Sequence, residues 1–226
     1  MATSGTTAFN LDLNQIVEEA FERCGSEMRT GYDLRTARRS LNLLMAEWAN
    51  RGINLWTIDE GTVSLTADTI TYNLPADTID LLEQVIRTGT GTSQQDINIT
   101  RISASSYGVI PNKNSTGRPV QVWINRQVAQ PTINVWPAPE DNTYTFVYWA
   151  LKRIEDAGTG VTNQDIPFRF LPCLVAGLSF YLSLKIPNAG DRTQFLKQEY
   201  EEQWVLASTE DREKSDLRIV PKRQSI

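Results

Sequence analysis

Apolar residues recur along this chain first at helical spacing, then at every second position, then at helical spacing again. Leu13, Ile16, Val17, Ala20, Phe21 and Cys24 form one stripe of a predicted helix. Asp12 with Gln15 three residues on makes a capping box at its start, and Gly25 offers a left-handed stop. A second helix is predicted after Asp33, ending near Gly52, and at 1.5 Å per residue it would be about 27 Å long. Leu34, Ala37, Leu41, Leu44, Met45 and Trp48 form its apolar face, while Arg35, Arg38 and Arg39 occupy the other side. Two amphipathic helices joined by a short link predict an antiparallel hairpin.

From Ile53 the period shortens to two. Val63 and Leu65, then Ile70, Tyr72 and Leu74, alternate with polar residues around a turn at residues 66–69. Pro75 ends that strand, because proline cannot donate to a central ladder. Further strands are predicted at residues 82–87, 97–102, 120–126, 132–136 and 144–151, with residues 89–93 and 111–119 as loops. Short strands joined in this way predict a small antiparallel β sandwich or barrel.

Helical period returns after Asp165. Pro167 suits a first turn, the regular helix is expected from about Phe170, and Pro187 ends it. This helix is apolar nearly all round, which predicts a central position. A last helix is expected from Asp191, capped with Gln194, with Phe195, Leu196, Tyr200, Trp204 and Ala207 as its stripe. The predicted class is α+β: a four-helix bundle formed by N- and C-terminal helix pairs, with an inserted β domain. Its expected boundaries are 1–52 and 160–212 for the discontinuous helical domain and 53–159 for the β domain. Residues 213–226 are expected to form an extended C-terminal arm.

Composition narrows the chemistry. The sequence has no histidine, so no Ser-His-Asp or Cys-His nucleophile system and no histidine-containing zinc site can be built. Cys24 and Cys173 lie far apart, make no CxxC, and each falls on an apolar helical face, the expected setting of a buried free thiol. Lys and Arg number 22 against 27 Asp and Glu, a net charge of -5, which argues against a general binder of nucleic acid or anionic membrane. Residues 1–10 are small and polar, without the apolar run of a secretory signal. Residues 170–186 are too short and too interrupted by Pro172, Gly177 and Lys185 for a membrane span.

The candidate motifs are weak as catalysts. Glu18-Glu19, Asp59-Glu60 and Glu201-Glu202 are neighbours in sequence, whereas general acid-base work needs two carboxylates facing one pocket in unequal environments. Gly89-Thr90-Gly91 lacks the third glycine, the lysine and the following helix of a phosphate loop. Trp123, Trp136, Trp149, Tyr144 and Tyr148 enrich the later strands in aromatics, a platform for a glycan or bases, or a core and a subunit interface. Arg35, Arg38 and Arg39, together with Trp123 and Trp149, are candidates for contacts between subunits or for a channel lining. Near the end of the sequence an acidic stretch (Glu199, Glu201, Glu202, Glu210, Asp211, Glu213) gives way to Lys214, Arg218, Lys222 and Arg223 against the single acid Asp216. Such a basic, partly apolar segment suits an arm that orders on a partner.

Four stretches carry a family likeness: Thr69-Ile70-Thr71-Tyr72-Asn73-Leu74-Pro75-Ala76-Asp77, Arg101-Ile102-Ser103-Ala104-Ser105-Ser106-Tyr107, Gly117-Arg118-Pro119, and Val135-Trp136-Pro137-Ala138-Pro139. With the order of elements, they resemble the head-to-tail adaptors of short-tailed phages, the group containing tail tubular protein A and the packaged-DNA stabilisation adaptors. The resemblance implies a non-enzymatic virion protein of the head–tail junction, present in the host cytoplasm during assembly and needing no cofactor. It implies a ring of about twelve copies under the portal. That ring would bind the portal protein and the tail nozzle protein, and pass double-stranded DNA during packaging and ejection without reading its sequence. The portal contact would fall on the arm, at Leu217, Arg218, Ile219, Val220, Lys222 and Arg223. Two other classes compete with this expectation. One is an accessory or tail protein whose aromatic β domain binds glycan or a host surface, and the other is a carboxylate-only hydrolase of the cell wall.

Overall fold

The computed structural model describes residues 5–6, 9–29, 31–52, 55–159 and 161–211. They divide into two compact units, one drawn from Met1–Leu55 and Asp156–Ile226, the other Trp56–Glu155. The class is mixed α+β, with five α-helices and two four-stranded sheets among the described residues.

In the helical unit, α1 (Leu13–Arg23) begins at the predicted capping box: Gln15 N–H donates to Asp12 Oδ1 at 2.9 Å, and Asp12 N–H donates to Gln15 Oε1 at 3.2 Å. Its end is a Schellman turn. Gly25 takes a φ of +74°, and the N–H groups of Ser26 and Gly25 donate to the carbonyls of Phe21 and Glu22. Every member of the predicted α1 stripe is buried.

The second helix, α2 (Gly31–Arg51), starts three residues earlier than the pattern suggests, so Asp33 lies in its first turn rather than before it. Asp33 there accepts the Arg29 N–H at 3.1 Å. Leu34 is half-buried, while Ala37, Leu41, Leu44, Met45 and Trp48 are buried as predicted.

A 3-10 turn at Phe168–Phe170 leads into α4 (Leu171–Ser183), which ends before Pro187. This helix packs against α1, α2 and α5 (Thr193–Glu210), which explains why it is apolar on all sides. Gly177 permits the approach: a Cβ there would stand 2.9 Å from both Leu44 methyls and from Cε2 of Tyr200. Trp48, Phe170 and Trp204 form an aromatic cluster, with centroids 5.5 Å apart from Trp48 to each of the others.

The predicted start of α5 is wrong. Residues Pro187–Arg192 form a 3-10 helix that runs directly into it, so Asp191 sits inside a helical turn. Capping needs an extended residue, and the cap position, Arg192, is helical with no side-chain bond. Phe195 also leaves the predicted stripe. It is 69% exposed, whereas Leu196, Tyr200, Trp204 and Ala207 are buried. At about 100° per residue, Phe195 points well outside the sector those four share.

In the β unit, one sheet has the order β1-β8-β3-β4, with β1 Ile58–Ser64, β8 Thr145–Lys152, β3 Thr78–Thr88 and β4 Gln95–Asn98. The other runs β2-β7-β6-β5, with β2 Thr71–Asn73, β7 Thr132–Trp136, β6 Gln121–Asn125 and β5 Thr100–Ile102. Side chains from both sheets, including Leu81, Ile86, Phe146, Val122, Ile133 and Val135, join one hydrophobic cluster.

The expectation of a wholly antiparallel β domain is corrected at one pair, because β5 and β6 are parallel. The link between them is long enough for a crossover and contains α3 (Ala104–Gly108), a short helix absent from the sequence reading. The single strand predicted at residues 97–102 is two strands in different sheets, with the buried Ile99 at the switch.

Candidate functional site

The stretches that carry the family likeness are structural fasteners. Tyr72 Oη closes the turn of residues 66–69: it receives the Thr66 N–H at 2.9 Å and faces the Thr66 and Thr69 carbonyls at 3.0 and 2.9 Å. Leu74, buried before Pro75, donates its N–H to Pro131 O. Ser103 caps α3, its hydroxyl accepting Ser106 N–H at 3.1 Å. Gly117 and Ala138 meet, with Gly117 N–H donating to Ala138 O at 2.8 Å, beside the cis Trp136–Pro137 peptide. All four stretches thus fix loops of the β unit, and none gathers reactive groups.

The predicted aromatic residues are engaged. Trp123 on β6 is half-buried and stacked on Tyr107 of α3, with centroids 5.2 Å apart. Lys113 Nζ lies 5.5 Å from the centre of the same Tyr107 ring. Trp149 lies on β8, half-buried, paired with Glu60 and Glu83 on its neighbours. Trp136 donates its indole N–H to Asn112 O at 2.9 Å. Trp123 and Trp149 belong to different sheets, so they do not form one platform.

Arg35, Arg38 and Arg39 come together on α2, lining with Tyr32 and Asn42 an open depression of about 500 Å³. None of the three has an ion pair to a described carboxylate, and Arg38 Nε is buried without a hydrogen-bond partner among the described residues. Lys185 adds a fourth cation close by, its Nζ 2.7 Å from Ser40 Oγ. Burial, and then the neighbouring Arg39 guanidinium, hold the Lys185 ammonium below the usual lysine range.

Two further surfaces were not singled out by sequence. The outer side of α5, opposite the buried stripe, exposes Phe195 near its start and Val205 and Leu206 near its end, with the hydrogen-bonded pair Gln198 and Glu202 between them. A second depression, of about 660 Å³, is lined by Phe9, Leu11, Phe168, Leu171, Pro172 and Val175, with Glu18, Glu19, Glu22 and Arg23 also at its wall. The available signal was an apolar residue shortly before each of two helix starts, Phe9 before α1 and Phe168 before α4.

Cys24 and Cys173 are free and buried. Burial pushes the thiols up to about 11 and about 12 respectively, and Cys24 Sγ faces Ser179 O at 3.2 Å. Among the described residues no three His, Cys, Asp or Glu side chains are grouped to hold a metal ion. No described helix is long and apolar enough to cross a membrane. The predicted portal-binding residues Leu217, Arg218, Ile219, Val220, Lys222 and Arg223 lie outside the described residues.

What remains is a molecule whose notable features are surfaces, and the family comparison agrees with that. The model of the SU10 adaptor protein family matches residues 11–220, covering both units. The chain belongs to the SU10 adaptor protein family. A search of curated proteins finds no match. Membership makes this a bacteriophage adaptor, a structural virion protein of the head–tail junction, with the portal and tail as the partners the family implies. It implies a non-enzymatic role.

Proposed function

We propose that this SU10-family adaptor assembles as a closed ring beneath the portal and joins it to the tail nozzle, leaving a channel through which DNA passes during packaging and ejection. The family match over residues 11–220 carries the reading. In it, α1, α2, α4 and α5 act as a four-helix bundle and the β unit as its insertion, with residues 213–226 as the portal-binding arm. A cyclic ring needs two different faces on each subunit that fit each other. Two surfaces of the helical unit are open to neighbours or partners, though not to each other: the outer side of α5, where Phe195, Val205 and Leu206 are exposed, and the cationic depression at Arg35, Arg38 and Arg39. Guanidinium groups without a carboxylate partner among the described residues suit partner acids or the phosphates of passing DNA. A ring of about twelve copies remains the expectation.

The decisive measurement is solution mass by light scattering, for the protein alone and mixed with its cognate portal. Stoichiometric rings on the portal are expected, and deletion of residues 217–226 should weaken the complex. A full-length protein that ignores the portal would overturn this reading.

A further inference from the structure

The groove between α1 and the start of α4 is apolar in its lining and acidic at one wall. Phe9 and Phe168 flank it with rings that are 72% and 76% exposed, and Leu171, Pro172 and Val175 continue the apolar surface. Along α1, Glu19 is bound to Arg23 at 2.9 Å, but Glu18 and Glu22 have no ion pair among the described residues. These two are one helical turn apart, so their carboxylates stand on the same side of α1.

One segment of the chain has the complementary composition. Leu217-Arg218-Ile219-Val220-Pro221-Lys222-Arg223 contains four apolar residues, three basic ones and no acid. In an extended conformation Leu217, Ile219 and Pro221 share one face with Arg223, and Arg218 and Lys222 share the other with Val220. The helix α5 also packs on the 3-10 turn that carries the groove residue Phe168. Asp211, which follows α5, has its carboxylate buried in an ion pair with Arg169, and Arg169 adjoins the groove residue Phe168. From Asp211 to Leu217 the chain can span about 20 Å at roughly 3.5 Å per residue.

We propose that residues 217–223 dock in this groove of their own subunit, with apolar side chains against Phe9, Phe168, Leu171 and Val175 and cationic ones toward Glu18 and Glu22. A tether this short gives an effective concentration on the order of millimolar, which favours the same subunit over a neighbour. The contact forms in the free subunit and needs no portal, so it stands or falls apart from the adaptor reading. If both hold, the groove and the portal compete for one segment.

The test uses the full chain carrying Phe168→Cys and Ile219→Cys, oxidised mildly at low protein concentration and read by intact mass and non-reducing gel. Native Cys24 and Cys173 are buried and do not interfere. An internal disulfide in the monomer is expected, forming about tenfold faster than in a Leu43→Cys, Ile219→Cys control whose α2 position is exposed and outside the groove. Adding Glu18→Lys and Glu22→Lys should remove most of that advantage. Equal rates in the two pairs, or covalent dimers in place of the internal bond, would overturn the proposal. Hydrogen exchange on the unsubstituted protein gives an independent reading. Amides of residues 217–223 should be protected and lose protection in the Glu18→Gln, Glu22→Gln variant, and exchange at the free-peptide rate would sink the idea.

Discussion

Arg51 ends α2 with its guanidinium 4.8 Å from the centre of the Trp204 ring and 5.1 Å from that of Tyr200. Its Nη1 and Nη2 donate to Glu201 at 3.0 and 2.8 Å, and its Nε donates to Glu47 at 2.8 Å. Glu47 in turn receives the hydroxyls of Tyr181 and Tyr200 at 2.6 and 3.2 Å, and Trp48 donates to Tyr200 Oη at 3.0 Å. Replacing Arg51 by Met should lower stability by about 2 kcal/mol in urea unfolding, since charge-assisted bonds and cation–π contact go together. Arg51→Lys should keep part of this, because an ammonium cannot make the planar fork. The hydrogen bond from Arg51 lowers the Glu201 carboxyl below its ordinary value. A lowered folded value means stability present at neutral pH and lost as pH falls through it. The Glu201→Gln variant should therefore lose less stability between pH 5 and pH 3 than the parent, by a modest margin given the half-exposed carboxylate. The alkaline side has the opposite sign. Cys24 and Cys173, at about 11 and about 12, and Tyr181, pushed up to about 12 by burial and then Glu47, all have raised values. They favour folding below their unfolded values and lose that contribution as pH rises from about 9 toward 12. Thiol-reagent assays should accordingly find both cysteines inert in the native protein at pH 8 and reactive in urea.

Elements approach closely here where a glycine lets them. Gly61 on β1 faces Tyr148 on β8, and a Cβ at Gly61 would fall within 2.6 Å of three atoms of that side chain, two of the ring and its hydroxyl oxygen. Gly177 plays the same part for α4 under Leu44 and Tyr200. Gly61→Val and Gly177→Val should each destabilise by about 1–3 kcal/mol through overpacking, despite the better local propensity of valine in a strand. Thermal or urea unfolding monitored by circular dichroism checks both. Elements with whole stripes, such as α1, were legible because the buried face and the capping box agree. The entry to α5 was not, since Asp191 and Gln194 have the spacing of a cap but the preceding proline turn already fixes helical backbone there. A different cause hid α3: five residues with none buried leave no periodic trace.

For the whole molecule, the apolar residues left uncovered matter more than those in the core. Phe195 and Leu206 on α5 are 69% and 65% exposed, so changing them should disturb assembly without disturbing the fold. Phe195→Asp with Leu206→Asp is expected to leave the melting temperature within about 3 °C of the parent. The same pair should reduce ring formation on the portal by about tenfold or more, as judged by light scattering. Unchanged assembly would remove the α5 face from the ring contact. The Arg35, Arg38 and Arg39 group invites a parallel measurement, in which charge removal lowers assembly chiefly at low salt.

The sequence by itself determined the succession of helical, β and helical segments, the buried faces of α1 and α2, the central place of α4 and the lack of histidine chemistry, because each rests on local period or on composition. The four β-unit stretches that resemble adaptors were also visible, since turn residues such as Leu74-Pro75 and Gly117 are required by local backbone geometry. Only the tertiary structure decided that β5 runs parallel to β6 and that Ile99 marks a change of sheet. Those outcomes depend on which distant segment supplies the neighbour, and strand pairing is settled by packing over long separations. The same holds for the groove, whose walls are Phe9 and Phe168: their separation of well over a hundred residues leaves no sign in the local pattern.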